Sequence, residues 1–259
     1  MHHLRIYRLV ERAHDALARR DDDSAALPRR DFLAGGAASL TAALLAACDS
    51  RGPDGAARLL RFAERKNETV ERWLLRHTSM DRARGRVAGN HFPVYHISPS
   101  VPVWDTAARG PWALEVSGLV QRPLRLTLDD LRRLPATRQR VNHYCVEGWN
   151  AVAEWWGVRV SELARVAGAL PTAQYVDFQS FDEDYHESWD LESATHPQTL
   201  VAYAKDGALL PPAYGAPARV HSPVKLGYKN TKYLTRVVFL PERNGGYWSD
   251  QGYEWYGGT

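Results

Sequence analysis

The sequence predicts a mixed α+β domain over residues 88–259. Three observations carry this expectation. Short strand-like segments recur between Gly and Pro residues, two brief helical segments carry their own start and stop signals, and no internal repeat is present. The strands lie far apart in the chain, so most of their pairing must be non-local.

Each element has a local reason. "WALEVSG" (112–118) alternates apolar and polar residues as a half-buried strand does. "TLDDLRRL" (127–134) places Thr127 three residues before Asp130, a capping-box arrangement that opens a short helix. "VSELARVAG" (160–168) reads as a second helix, stopped by Gly168 and Pro171. "AQYVDFQSF", "TLVAYA", "ARVHSPV" and "YLTRVVFL" supply further strands, and "KDGA" (205–208) is a turn. Upstream, residues 56–77 carry Leu59, Leu60, Phe62, Ala63, Val70, Trp73 and Leu74 at helical spacing. They predict an amphipathic arm that packs on its own domain, with Arg and Glu on the wet side. The aromatic, glycine-rich tail 244–259 is either laid over the domain or a lid on it.

Charge excludes one class of partner. Thirty-three basic and thirty acidic residues leave a formal charge of +3, with no dense basic stripe, so nucleic acid is not expected.

The N-terminal 48 residues have a different grammar. Residues 1–26 are charged and read as a disordered extension. Arg29-Arg30 then precede an apolar run from Phe32 to Ala47 that ends at Cys48. At 1.5 Å per residue this run reaches roughly 24 Å, short of the ~30 Å hydrocarbon core. It therefore reads as an export signal rather than a stable span. Paired arginines followed by Asp-Phe-Leu resemble a twin-arginine signal, which exports proteins already folded. "LAAC" (45–48) resembles a lipobox, in which Cys48 is lipidated. The expected location is the periplasm, tethered to the membrane, with residues 49–87 forming tether and arm.

If Cys48 carries lipid, Cys145 has no disulfide partner. A lone thiol in an oxidising compartment survives if it is buried or ligated, and the residues alone leave both readings open. Folded export also hints at a cofactor loaded before transport.

The ordered motifs "GNHFPVYHIS" (89–98), "YCVEGWN" (144–150), "YVDFQSF" (175–181), "AYGAPARV" (213–220) and "KLGYKNTKYL" (225–234) resemble the molybdopterin-binding oxidoreductase domain of the sulfite oxidase family. The similarity is closest to its bacterial, twin-arginine-exported, methionine-sulfoxide-reducing branch. The resemblance implies a sulfite-oxidase-type fold and a molybdenum–molybdopterin cofactor. Cys145 occupies the position of the thiolate ligand to molybdenum, and a soft anionic sulfur suits a metal already held by sulfur. Asn90, Tyr95, His96, Ser180, Tyr214, Arg219, Asn230, Thr231 and Lys232 match the cofactor's polar contacts, with Arg219 and the Asn230–Lys232 loop suited to a phosphate. His143 and His186 are candidate donors to substrate, or else satisfied structural residues. Glu147 is expected to be structural, and Tyr144, Trp149, Trp155 and Trp156 to pack around the metal site.

Two departures bear on the reaction. Gly89 stands where sulfite oxidisers place an arginine, and the chain carries no haem-attachment motif. The expectation is therefore oxygen-atom transfer in the reducing direction, on a small-molecule or protein-borne oxide, with electrons from a membrane haem protein or a cytochrome c. Its rivals are a sulfite dehydrogenase that passes electrons to a cytochrome c, and a catalytically silent, cofactor-binding lipoprotein subunit.

Overall fold

The computed structural model describes residues 56–75 and 80–259, so Arg29-Arg30, the apolar run and Cys48 lie outside the described residues. The chain divides into two compact units, residues 1–63 and 64–259. No helix among the described residues is long and apolar enough to cross a membrane.

The second unit is built on two five-stranded sheets, as the mixed α+β expectation requires. In the first, the order is β2 (Leu124–Thr127), β1 (Ala113–Gly118), β10 (Leu234–Leu240), β5 (Tyr175–Ser180), β6 (His186–Asp190). Strands β1 and β10 run parallel and the other neighbours antiparallel. In the second, β3 (Ala136–Tyr144), β4 (Asn150–Arg159), β7 (Leu200–Lys205) and β8 (Ala208–Leu209) follow one another, and β9 (Arg219–His221) also pairs with β7. Leu114, Val116, Leu163, Phe178, Val237 and Phe239 form the main core, while Phe92, Val141, Ala153 and Trp155 form a second cluster.

Local rules explain the short helices that follow α1 (Ala56–Leu74) and α2 (Thr106–Arg109). The Thr127 hydroxyl accepts from the Asp130 N–H while the Asp130 carboxylate accepts from the Thr127 N–H, a complete capping box on α3 (Leu128–Arg133). Helix α4 (Val160–Ala167) stops at Gly168, which takes the left-handed conformation. The β7–β8 turn has positive φ at both Asp206 and Gly207, as a tight hairpin requires.

Two expectations fail. The longest hairpin, β3–β4, was not anticipated, because β3 buries only Val141 and His143 among arginines, Gln and Asn and so carries little apolar signal. Helix α1 (Ala56–Leu74) forms, but with its stripe inverted. Val70, Trp73 and Leu74 are 51, 63 and 64% exposed, whereas Glu64 and Glu68 turn towards Arg243 of the domain. Periodicity finds a stripe. Which stripe faces inward is decided by the partner, here a guanidinium 179 residues away from Glu64.

Gly157 shapes the second sheet. A Cβ there would sit 2.1 Å from the Val201 carbonyl oxygen, so only glycine permits the approach of β7 at this register shift.

Candidate active site

The β3–β4 hairpin ends in a turn that presents Cys145. Its N–H donates to the Trp149 carbonyl (2.9 Å) and its own carbonyl accepts from Gly148 (3.0 Å), fixing the thiol at the strand end. The thiol lines a cavity of about 360 Å³ and is free. Burial pushes its pKa up. Glu147 is exposed, not buried, and gathers donors at the mouth: Tyr95 OH at 3.1 Å, Trp149 Nε1 at 3.0 Å and Cys145 Sγ at 3.8 Å. Trp155 is core as expected, but Trp156 is 44% exposed and does not line the cavity.

The opposite walls come from four distant segments. Phe92, Tyr95, His96 and Ile97 form one. Asp182, which the sequence did not single out, fastens it: its carboxylate accepts from the Ser98 hydroxyl and the Ile97 N–H, and its own N–H donates to Ser180 Oγ (2.9 Å). Ser180 and Tyr185 form the second. Arg219, Lys232 and Tyr233 form the third, with Tyr233 held at φ +57°, an uncommon conformation for a bulky residue. Trp248 and Tyr253 of the tail form the fourth, so the tail is part of the cavity wall.

The cavity's cations are its decisive feature. Arg219 is buried and spends its guanidinium on three carbonyls, those of Tyr214 (3.2 Å), Asn230 (3.1 Å) and Val220 (3.3 Å). Burial lowers its pKa to about 10. Lys232 Nζ donates, among the described residues, only to the Ala213 carbonyl (3.2 Å), and burial, assisted by Arg219, lowers its pKa to about 7. Among the described residues neither cation has a carboxylate in ion-pair contact. A buried charge without a counter-charge costs several kcal/mol, so the site is built for an anion that it does not itself supply.

Other expected contacts sort differently. His143 lines the cavity with its ring buried, and burial together with Arg219 and Lys232 lowers its pKa to about 3. The Tyr214 ring lines the cavity, but its hydroxyl is spent on the Phe92 carbonyl (3.0 Å). The Asn230 amide is spent on its own loop, donating to Lys225 and Leu226 carbonyls and accepting from the Ser222 N–H. Thr231 is fully buried behind the wall, and its hydroxyl has no partner among the described residues. The side chain of Asn90 is outside the described residues. His186 is a correction. It does not line the cavity but bonds through Nδ1 to buried Asp177 (2.9 Å), which raises its pKa. Strand register, invisible locally, sends it there.

Residues 99–248 match the model of the oxidoreductase molybdopterin binding domain. The chain belongs to this family. The match includes Cys145, Ser180, Tyr214, Arg219 and Lys232, and excludes the Asn90–His96 segment. Among relatives, YedZ1 of Azospira oryzae is 44% identical over 65% of this chain and 63% of its own length. The oxidoreductase YuiH of Bacillus subtilis is 32% identical over 67% of this chain and 88% of its own length. The protein-methionine-sulfoxide reductase catalytic subunit MsrP of Ralstonia nicotianae is 33% identical over 51% of this chain and 45% of its own length. The chain thus spans less than two thirds of YedZ1 and about half of MsrP.

The residues of this molybdopterin-binding domain fit its cofactor. A cofactor phosphate would supply the anion that Arg219 and Lys232, bonded here to carbonyl oxygens, lack among the described residues. The His96 Nδ1, enclosed at the cavity and unpartnered among the described residues, marks polar capacity that their contacts leave unused. No group of three or more His, Cys, Asp or Glu among the described residues could hold a metal, so a metal here would rely on Cys145 together with sulfur brought by the pterin.

Proposed function

We propose that the protein is an exported, membrane-tethered molybdenum enzyme that reduces an S-oxide or related oxide, taking two electrons and two protons per oxygen released as water. The observation that carries this reading is the cation count. Among the described residues, Arg219 and Lys232 are the only Lys or Arg side chains on the cavity wall, and the cofactor's phosphate would engage both. No cation is left to compensate a sulfite dianion, whose uncompensated charge would cost several kcal/mol. A neutral oxide needs only a hydrogen-bond donor.

The bound cofactor supplies two-electron oxygen-transfer chemistry at its metal. The chain's residues do the rest. Cys145 would hold the metal, Arg219 and Lys232 would hold the phosphate, and His143 would offer the N–H of its neutral ring to the substrate oxygen. Tyr95 and Trp149, stacked at 6.3 Å, and Trp248 with Tyr253, 5.1 Å apart, give the mouth an aromatic lining for apolar substituents on sulfur. MsrP of Ralstonia nicotianae, a relative by name a methionine-sulfoxide reductase catalytic subunit, supports the substrate class. Arg29-Arg30 and Cys48 support folded export to the periplasm and a lipid anchor. Electrons then come from a membrane haem protein or a cytochrome c.

Cofactor-loaded protein with a reduced dye should turn over methyl sulfoxides with a higher kcat/KM than it oxidises sulfite, and Cys145→Ser should abolish this turnover. Sulfite-dependent reduction of cytochrome c without oxide reduction would reverse the assigned direction. Absence of either reaction in loaded protein would point to a silent binding subunit.

A further inference from the structure

His143 is not an isolated ring. Its Nδ1 lies 3.3 Å from Nε2 of His221, and the two rings stack with centroids 5.4 Å apart. His221 is fully buried on β9, 78 residues away in sequence. Trp155 covers it face to face, with centroids at 4.2 Å and planes at 22°. The other His221 nitrogen, Nδ1, is enclosed and has no partner among the described residues.

We propose that His221 is a positioning residue that fixes the tautomer of His143, so that His143 presents an Nε2–H donor to the cavity. The proposal rests on reading this cavity as the cofactor and substrate site.

The assignment follows from hydrogen-bond bookkeeping. A neutral imidazole carries one proton on one of two nitrogens. On His221, a proton at Nδ1 would be an enclosed N–H without an acceptor, which is rarer and costlier than an unfilled lone pair. The proton therefore sits on Nε2 and is donated to His143 Nδ1. That nitrogen is then the acceptor, and the His143 proton is forced onto Nε2. Among the described residues nothing accepts it. Gly227, itself on the cavity wall, lies so close to this nitrogen that a Cβ there would stand 2.7 Å from it. The glycine keeps the donor's approach open.

The donor also lies beside the chemistry. His143 and Cys145 are two residues apart at the end of β3 and both line the cavity. The ligand chemistry assigned to Nε2–H is a lone pair on oxygen or nitrogen, carried by the pterin or by an oxide substrate.

The test uses the full chain labelled with ¹⁵N in its histidine rings, as prepared and after cofactor loading. Long-range ¹H–¹⁵N spectra report which ring nitrogen carries the proton, and signals lost in His143→Gln and His221→Gln identify the two rings. Both should be Nε2–H tautomers. A protonated Nδ1 on either ring would overturn the proposal without touching the proposed reaction. His221→Leu should let His143 populate the Nδ1–H tautomer. It should lower oxide kcat/KM by about tenfold, the loss of one hydrogen bond. His221→Gln, whose amide can still donate, should restore both. A purely structural His221 would instead leave the His143 tautomer unchanged in a folded His221→Leu variant. Loss of cofactor retention in His143→Leu assigns the acceptor to the pterin, and retained cofactor with raised KM assigns it to substrate. Neither change in His143→Leu would overturn the donor role.

Discussion

Four cations lie within residues 219–232, Arg219, Lys225 and Lys229 buried and Lys232 half-buried, and the fold treats them in two ways. On the side of the tail, Lys225 meets Asp190 at 3.0 Å and Lys229 meets Glu187, with all four side chains almost fully buried. Lys225 also donates to the Tyr256 carbonyl (2.6 Å) and Lys229 lies over the Trp255 ring, so these pairs fasten the tail to β6 and its neighbours. On the cavity side, Arg219 and Lys232 donate to carbonyl oxygens and lie over the Trp155 and Tyr233 rings, with no carboxylate in ion-pair contact among the described residues. Burial raises the Asp190 pKa, but the Lys225 ammonium and the Ser193 N–H outweigh it and hold the carboxyl at about 2. Lys232, with no such partner, is held at about 7. Where a charge is structural, the protein brings its counter-ion. Where a ligand is due, it leaves the charge open.

The largest test of this contrast is Asp190→Asn. It should strand Lys225 in the core and cost about 3–5 kcal/mol of stability, read from denaturant unfolding. Lys232→Met should do the opposite to the cofactor-free fold, leaving it as stable or more so. It should also weaken cofactor retention by about tenfold or more, measured by pterin released on gel filtration. Equal destabilisation by both variants would erase the distinction between the two regions.

The smallest effect is in pH dependence. The folded Lys232 pKa lies below its ordinary 10.5, so between about pH 7 and 10.5 the unfolded chain holds a proton that the native chain has released. This group therefore adds stability as pH rises through that window. Lys225, held at about 8, acts in the same direction. The diagnostic is the difference between wild type and Lys232→Met. The wild-type gain should be the steeper from pH 7 upward, and inorganic phosphate should flatten it by stabilising the charged form. Parallel curves for the two proteins would remove Lys232 from the anion site.

Several parts of the site were legible because their signals are local. The turn that holds Cys145 spans five residues, and the motif around it is contiguous. The capping box on α3 and the left-handed stop at Gly168 need only neighbours within a few positions. Arg219 and Lys232 were legible through the ordered motifs that carry them. Asp182 was not, because its role is to accept from Ser98, 84 residues earlier. His221 was not, because a histidine inside a strand-like "ARVHSPV" gives no sign that another imidazole will stand beside it.

By itself the sequence determined which chemistry is available: one thiol in an aromatic turn, a run of cations in the last third of the domain, and helices that start and stop where their caps stand. Only the tertiary structure decided how each polar group is spent. It drew His186 to Asp177, the Tyr214 hydroxyl to the Phe92 carbonyl, and the Asn230 amide into its own loop. It turned the charged stripe of α1 inward and paired Lys225 and Lys229 while leaving Arg219 and Lys232 open. The physical reason is range. Propensity, capping and turn chemistry act over a few residues, whereas the partner of a buried polar group is whichever donor or acceptor the sheet register delivers.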